Sequence, residues 1–193
     1  FRDLATRHPE VTAHFRSTAD GPARPLFDLA IHADITVLGN LAHGENAHLN
    51  ALLTQSARPL LVAPPRPVDK GFGGRIVIAW NQSPEAARAV AAAMPLIDRA
   101  ERVVVVSVSK HADDQAMDPL REYLSLHSRE VETAAVDPRG RKTGQVLVDT
   151  TAEVPGSVLV MGAYSHHRWR EQVLGGVTNF VLNNADIPAL IMH

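Results

Sequence analysis

Between Val158 and Thr178 the chain reads VLVMGAYSHHRWREQVLGGVT, and these residue types suit one chemistry above others: holding an anion. Val158, Leu159, Val160 and Met161 form a run fit for a buried strand, and the run stops at Gly162. A polar, basic loop carrying Ser165 and His166 follows. The pair Gly175-Gly176 comes next, then Val177 and Thr178 at the opening of a helical pattern through Val181 and Leu182. The first turn of a helix has unpaired backbone N–H groups, and its dipole favours negative charge. Glycines let that backbone approach a ligand with no Cβ in the way. Strand, glycine loop and helix start therefore predict a phosphate-sized cradle on an α/β sheet.

Other residues offer weaker chemistries. Ser165-His166 resembles a nucleophile beside a base, but neighbours on one loop rarely address the same atom, and no acidic third partner is evident. The cluster from His166 to Arg170 has the charge to steer phosphates, or simply to be solvated, and Trp169 within it could mark a contact surface. Arg139-Gly140-Arg141-Lys142 reads as a solvent-facing connector, although in a doubly wound sheet it falls at the strand ends where ligands bind. The 10 histidines include no pair four apart on a convincing helix, and His43 and His48 fall in loop or helix-start sequence, so no metal is predicted. Asp186 and Glu171 are near the cradle only in sequence. No general base or magnesium-holding carboxylate stands out, so no catalytic residue is predicted and the chain is not read as an enzyme.

The elements that must position the cradle follow from hydrophobic periodicity. Arg75–Trp80, Val103–Val108, Val131–Val136, Val158–Met161 and Ala189–Met192 read as strands, mostly too apolar to be half-exposed and therefore suited to a parallel sheet. Helices are predicted between them: one opened by Ser83 and Pro84 with Ala86, Val90, Met94 and Ile97 inward, then about Gln115–Ser128, Gln145–Glu153 and Leu174–Asn184. The alternation implies a parallel sheet covered on both faces.

The first third of the chain repeats the later part of that series. Val11–Arg16 matches the third strand and Pro25–His32 the third helix. Ile35–Gly39 matches Val158–Gly162, and the proline-led Arg58–Val62 matches Ile187–Ile191. Pro64–Gly74 is a Pro/Gly-rich connector. Roughly 50 or more residues of a first copy are therefore expected upstream of Phe1.

Composition excludes several classes. The 193 residues carry a net charge of −2, which gives no general reason to expect nucleic-acid or membrane binding, and 0 cysteines exclude disulfides and thiolate sites. No apolar run approaches the roughly 20 residues a bilayer-spanning helix needs, and a cytoplasmic location is expected.

Over residues 75–193 the sequence resembles a universal stress protein domain, through IVIAWNQS, VMGAYSHHRWREQVLGGVT and NADIPALIMH. Residues 1–66 resemble the second portion of another such domain, with 67–74 as linker, so the whole resembles a tandem member. The resemblance implies a five-stranded parallel sheet in the order 3-2-1-4-5, Rossmann-like, with a partial second copy at the N-terminus. It also implies ATP or AMP binding through a Gly-x2-Gly-x9-Gly-(Ser/Thr) loop and an Asp after the first strand. The spacing is kept here as Gly162, two residues, Ser165, nine residues, Gly175. The implied contacts are Trp80, Asn81, Val108, Met161, Gly162, Ser165, His166, Gly175, Gly176, Val177 and Thr178, with the base and ribose between Trp80-Asn81 and Val108.

Three positions depart from that pattern: Ser165 for Gly, Gly176 for Ser or Thr, and Asn81 for Asp. A Cβ forced into a left-handed backbone costs ~1–2 kcal/mol, and a lost hydroxyl bond to a charged phosphate about 1.5–3 kcal/mol. Together they would weaken binding by roughly 10- to 1000-fold. Residues 39–44, Gly39 to Gly44, show no such spacing, so a first-copy site is read as lost. Two readings stay open: a non-catalytic stress-response protein with a degenerate ATP/AMP site, or a nucleotide-free interaction and dimerisation module. A protein partner of unknown identity is expected in either. The last strands of the two halves are expected to pair antiparallel as a pseudo-dimer, with a homodimer as the further option.

Overall fold

Unbroken runs of Val, Ile and Leu make strands that are buried on both faces, and this chain builds its sheet from them. The computed structural model describes residues 6–14, 24–39, 52–68, 71–111, 113–128, 130–163 and 176–193. The elements are α1 (Arg24–Ala30), β1 (Thr36–Leu38), β2 (Leu60–Val62), β3 (Arg75–Ala79), α2 (Pro84–Ile97) and β4 (Arg102–Val108). A 3-10 turn (Gln115–Met117) then leads into α3 (Asp118–Ser125), β5 (Val131–Val136), α4 (Thr143–Ala152), β6 (Val158–Gly162), α5 (Gly176–Asn184) and β7 (Ala189–Met192).

Among the described residues seven strands form one sheet, ordered β1-β2-β7-β6-β3-β4-β5. The stretch β7-β6-β3-β4-β5 is parallel throughout and has the expected order of five. The sheet does not end there. β2 joins β7 antiparallel and β1 joins β2 parallel, so the sheet has seven strands where five were expected of one domain. The physical reason is the edge of β7, a fully apolar strand whose open backbone groups would otherwise face water.

One expected strand is not found among the described residues. The described part of Val11–Arg16, residues 11–14, is not in a strand, and Val11 is exposed. Its match, β5, is held in the sheet by β4. No described strand stands in that relation to residues 11–14.

Local chemistry explains the best-defined helix. The Ser83 hydroxyl caps α2 by accepting from the Ala86 N–H at 3.1 Å, Pro84 supplies the preset first φ, and Glu85 sits in the first turn where the dipole favours it. Ala86, Ala89, Val90, Ala93 and Ile97 face the sheet. Two apolar layers result. On one face α2 and α3 cover Ile76, Ile78, Val103, Val105, Val158, Val160 and Leu190. On the other, α4 and α5 cover Val77, Val104, Val106, Leu159, Met161 and Ile191.

Candidate functional site

The parallel register brings three strand ends to one rim. Ala79 is opposite Val106 of β4 and Met161 of β6, so Trp80-Asn81, Val108 and Gly162 all lie at the C-terminal edge of neighbouring strands. The turn after β3 is tightly specified. Asn81 accepts the Ser83 N–H through its side-chain oxygen at 3.2 Å, and Gln82 takes a left-handed φ of 60° while its amide donates to the Ala116 carbonyl at 3.1 Å. The side chain standing where the resemblance implies Asp is thus bonded back into its own loop.

The sheet separates two residues that were expected to flank one ligand. Trp80 packs with the α2–α3 layer, whereas Val108 packs with the α4–α5 layer, beside Ala79, Met161 and Val177. Consecutive strand residues point to opposite faces, so Ala79, rather than Trp80, shares a face with Val108. Counting by twos from Val106 along the register would have found this.

Gly162 has a packing reason that needs no ligand. A Cβ there would sit 2.6 Å from the Ala86 nitrogen and the Glu85 carbonyl carbon, backbone atoms of the first turn of α2. The glycine lets the helix start lie directly on the strand end. At Gly176, the first residue of α5, nothing among the described residues lies within 4 Å of where a Cβ would stand, so a serine meets none of them. Val177 is packed against the apolar layer and Thr178 is only 3% exposed, which limits their service to an anion to backbone N–H groups. Ser165, His166 and Gly175 lie outside the described residues.

The charges nearest this rim differ between the two faces. Lys142, which opens α4, holds its ammonium 5.7 Å above the Phe180 ring of α5. It follows a turn shaped by left-handed Arg139 and Gly140, with the Arg139 N–H donating to the Asp137 carboxylate at 2.8 Å. Sequence reasoning read this basic turn as a connector; the structure sets Lys142 against α5 through the Phe180 ring. On the opposite face, burial pushes the Glu85 carboxyl up. Hydrogen bonds from its own backbone, Arg88 and Ser83 outweigh burial and leave it below its ordinary range. Arg88 also donates to the His193 carbonyl at 3.0 Å, tying α2 to the end of β7.

A second cleft of about 420 Å³, lined by residues 98–101 and 125–128, opens at the other end of the strands and shares no residue with the rim. Among the described residues no group of three or more His, Asp or Glu side chains could hold a metal ion, and no helix is long and apolar enough to cross a membrane.

Comparison with known proteins places this geometry. Residues 74–193 match the universal stress protein family. A universal stress protein from Archaeoglobus fulgidus DSM 4304 superposes with TM-score 0.66 at 13% identity, covering 99% of this chain and 73% of that one. A functionally unknown protein from Pseudomonas aeruginosa PAO1 superposes with TM-score 0.60 at 15% identity, covering 99% and 75%. A shorter universal stress protein from Archaeoglobus fulgidus is covered over 100% of its length by 64% of this chain, at TM-score 0.51 and 19% identity. No curated protein matches. With a domain of the matching fold over residues 74–193, the chain belongs to the universal stress protein family.

Proposed function

We propose that residues 75–193 form a non-catalytic, cytoplasmic stress-response domain with a degenerate ATP/AMP site at the rim of β3, β4 and β6. The supporting observation is that α5 begins at Gly176 on the sheet face that carries Ala79, Val108 and Met161. A base would lie over Ala79 and Val108, with phosphates against the α5 start and Lys142 as an added cation. Nucleotide occupancy would bias the loop from Tyr164 to Gln172 and so change a surface for a protein partner. The test is isothermal titration of ATP and AMP into the protein and into a Ser165→Gly/Gly176→Ser variant. Weak binding that tightens about tenfold or more in the variant is expected. No heat at millimolar nucleotide in either protein would remove the reading.

The engaged Asn81 carboxamide favours the second reading, an interaction module that holds no nucleotide. Mass spectrometry of small molecules released from the denatured protein separates the two, since co-purified adenylate contradicts the second.

The N-terminal third is further proposed to be part of a second copy, so that the β2–β7 junction is a pseudo-dimer interface within one chain. What supports this is the antiparallel register of that junction, with Leu60 opposite Ile191, Leu61 opposite Leu190 and Val62 opposite Ala189.

A further inference from the structure

Helices α2 and α4 follow parallel strands and open at the same end of the sheet, yet their starts are finished in opposite ways. α2 has the Ser83 cap and Glu85 in its first turn. α4 has neither: Lys142 stands at its N-cap without a side-chain bond, and its first turn holds no acid. Among the described residues the N–H groups of Thr143, Gly144 and Gln145 find no partner, and the first bond runs from the Val146 N–H to the Lys142 carbonyl at 3.2 Å. A helix start carries partial positive charge, so a cation at its cap is the unfavourable choice. Here three cations, Arg139, Arg141 and Lys142, crowd that start within four residues.

Their counter-ions do not balance them. Arg141 reaches Asp149 at 3.2 Å, and Asp149 also accepts the Gln145 amide at 2.6 Å. Asp137 accepts only the backbone N–H of Arg139, at 2.8 Å. Among the described residues no carboxylate pairs with the Arg139 or Lys142 side chain, and the Lys142 ammonium is held over the Phe180 ring instead. Arg139 also takes a left-handed φ of 48°, in a turn closed by the Arg141 N–H on the Pro138 carbonyl at 2.9 Å. Like charge and backbone strain gathered at one exposed turn both cost stability, and such conflict marks a place that a ligand completes.

The turn stands beside the start of α5. The strands that precede α4 and α5 run in one direction, so the two helices return the same way across one face. A Cβ on Gly144 would lie 2.9 Å from the Phe180 Cβ, which sets the second residue of α4 level with the fifth of α5. With a rise of about 1.5 Å per residue, α5 starts roughly 4.5 Å further out than α4, level with the turn that leads into α4. The basic turn and Gly176 therefore share one stretch of the rim.

We infer that the turn Arg139–Lys142 is a polyphosphate subsite, taking the outer phosphates of a nucleotide whose innermost phosphate lies against the α5 start. Arg139 and Lys142 are the specificity-determining residues: they select ATP over AMP by the number of charges presented, and the unpaired N–H groups of α4 add neutral donors. This inference rests on the nucleotide reading proposed above.

Isothermal titration of ATP, AMP and inorganic tripolyphosphate into the wild type and into Arg139→Gln/Lys142→Gln tests it. The wild type should bind ATP about tenfold or more tightly than AMP, the worth of one or two charge-assisted hydrogen bonds. In the double variant that preference should vanish with AMP affinity unchanged, and tripolyphosphate binding should be lost. Arg139→Lys/Lys142→Arg, which keeps both charges, should retain the preference. Both residues are exposed, so thermal unfolding by circular dichroism should show each variant folded. Equal affinities for ATP and AMP in the wild type, or equal weakening of both in the Gln variant, would overturn the subsite and spare the nucleotide reading. Binding of neither nucleotide removes that reading and the subsite with it.

Discussion

Two strand pairs of this molecule share a sequence pattern and live in different surroundings. β6 and β7 are buried almost throughout, whereas β1 is partly exposed along its length and β2 is buried only at Leu60. Each pair has a strand closing on glycine, then a proline-led apolar strand. The difference teaches that pattern selects the element, while neighbours on either side supply the burial that stabilises it. β6 gains β3, α2 and the α4–α5 layer; among the described residues β1 gains β2 and what packs on one side.

The sharpest way to break the comparison is to charge its two central leucines. Leu190 is buried in the α2–α3 layer, so Leu190→Asp strands a carboxyl in apolar surroundings and should destabilise by at least ~4 kcal/mol. That corresponds to a fall in melting temperature of roughly 8–16 °C for a chain of this size. Leu61→Asp, directly across the ladder but half-buried, should cost about half as much. Thermal unfolding followed by circular dichroism checks both, and equal losses would contradict the asymmetry.

Gly162→Ala comes next. The added carbon meets backbone of α2 rather than a flexible side chain, so the helix start must move, at about 1–3 kcal/mol. The matched Gly39→Ala, in residues 1–193, should be neutral or stabilising by about 0.5 kcal/mol through the unfolded state. Urea midpoints for the two variants separate a glycine required by packing from one that is not.

How much of this was legible follows from the kind of signal each feature leaves. The strands of residues 75–193 and the α2 cap were readable because apolar runs and a Ser-Pro-Glu start are local. The closing glycine at 162 was readable too, but its reason was not: the contact with Glu85 and Ala86 spans more than 70 residues of sequence and appears only when β3 and β6 pair. Arg75–Trp80 was read as a strand, but its alternation was not carried across to β4, so Trp80 was set with Val108 although the two pack in different layers. Val11–Arg16 was read as a strand by its match to β5, and a strand needs a neighbour that sequence similarity alone does not provide. The rim's basic turn was visible as composition, and only the packing of α4 on α5 put Lys142 over Phe180.

Gly144→Ala probes that packing and should have a smaller effect. Gly144 is the second residue of α4, so alanine gains less there than the ~1 kcal/mol of a helix interior. Its Cβ would lie 2.8–2.9 Å from the Cδ1 and Cβ of Phe180, and because the Phe180 Cβ is rigidly attached to α5, rotating the ring cannot relieve the contact. The helix must shift, so a net loss of ~1 kcal/mol is expected. Any nucleotide affinity should fall with it, because α5 carries the Gly176 start; titration of the variant checks the coupling.

The smallest effect is an acid sensitivity confined to the β6 side. The Glu85 carboxyl titrates below its ordinary range in the folded protein, despite burial, because its own backbone, Arg88 and Ser83 hydrogen-bond the charged form. A group lowered on folding stabilises at pH above its unfolded value, about 4.3 for glutamate, and that contribution drains away as pH falls through the folded value. Urea midpoints measured from pH 7 down to about 3 should therefore drop more steeply in the wild type than in Glu85→Gln, the two curves converging at the acid end. No described acid stands at Gly39 as Glu85 stands at Gly162, so Gly39→Ala should leave the acid slope as it is. Parallel curves for wild type and Glu85→Gln would mean that the helix start on Gly162 is held by packing alone, and the rim of β6 would then differ from that of β1 only in what covers it.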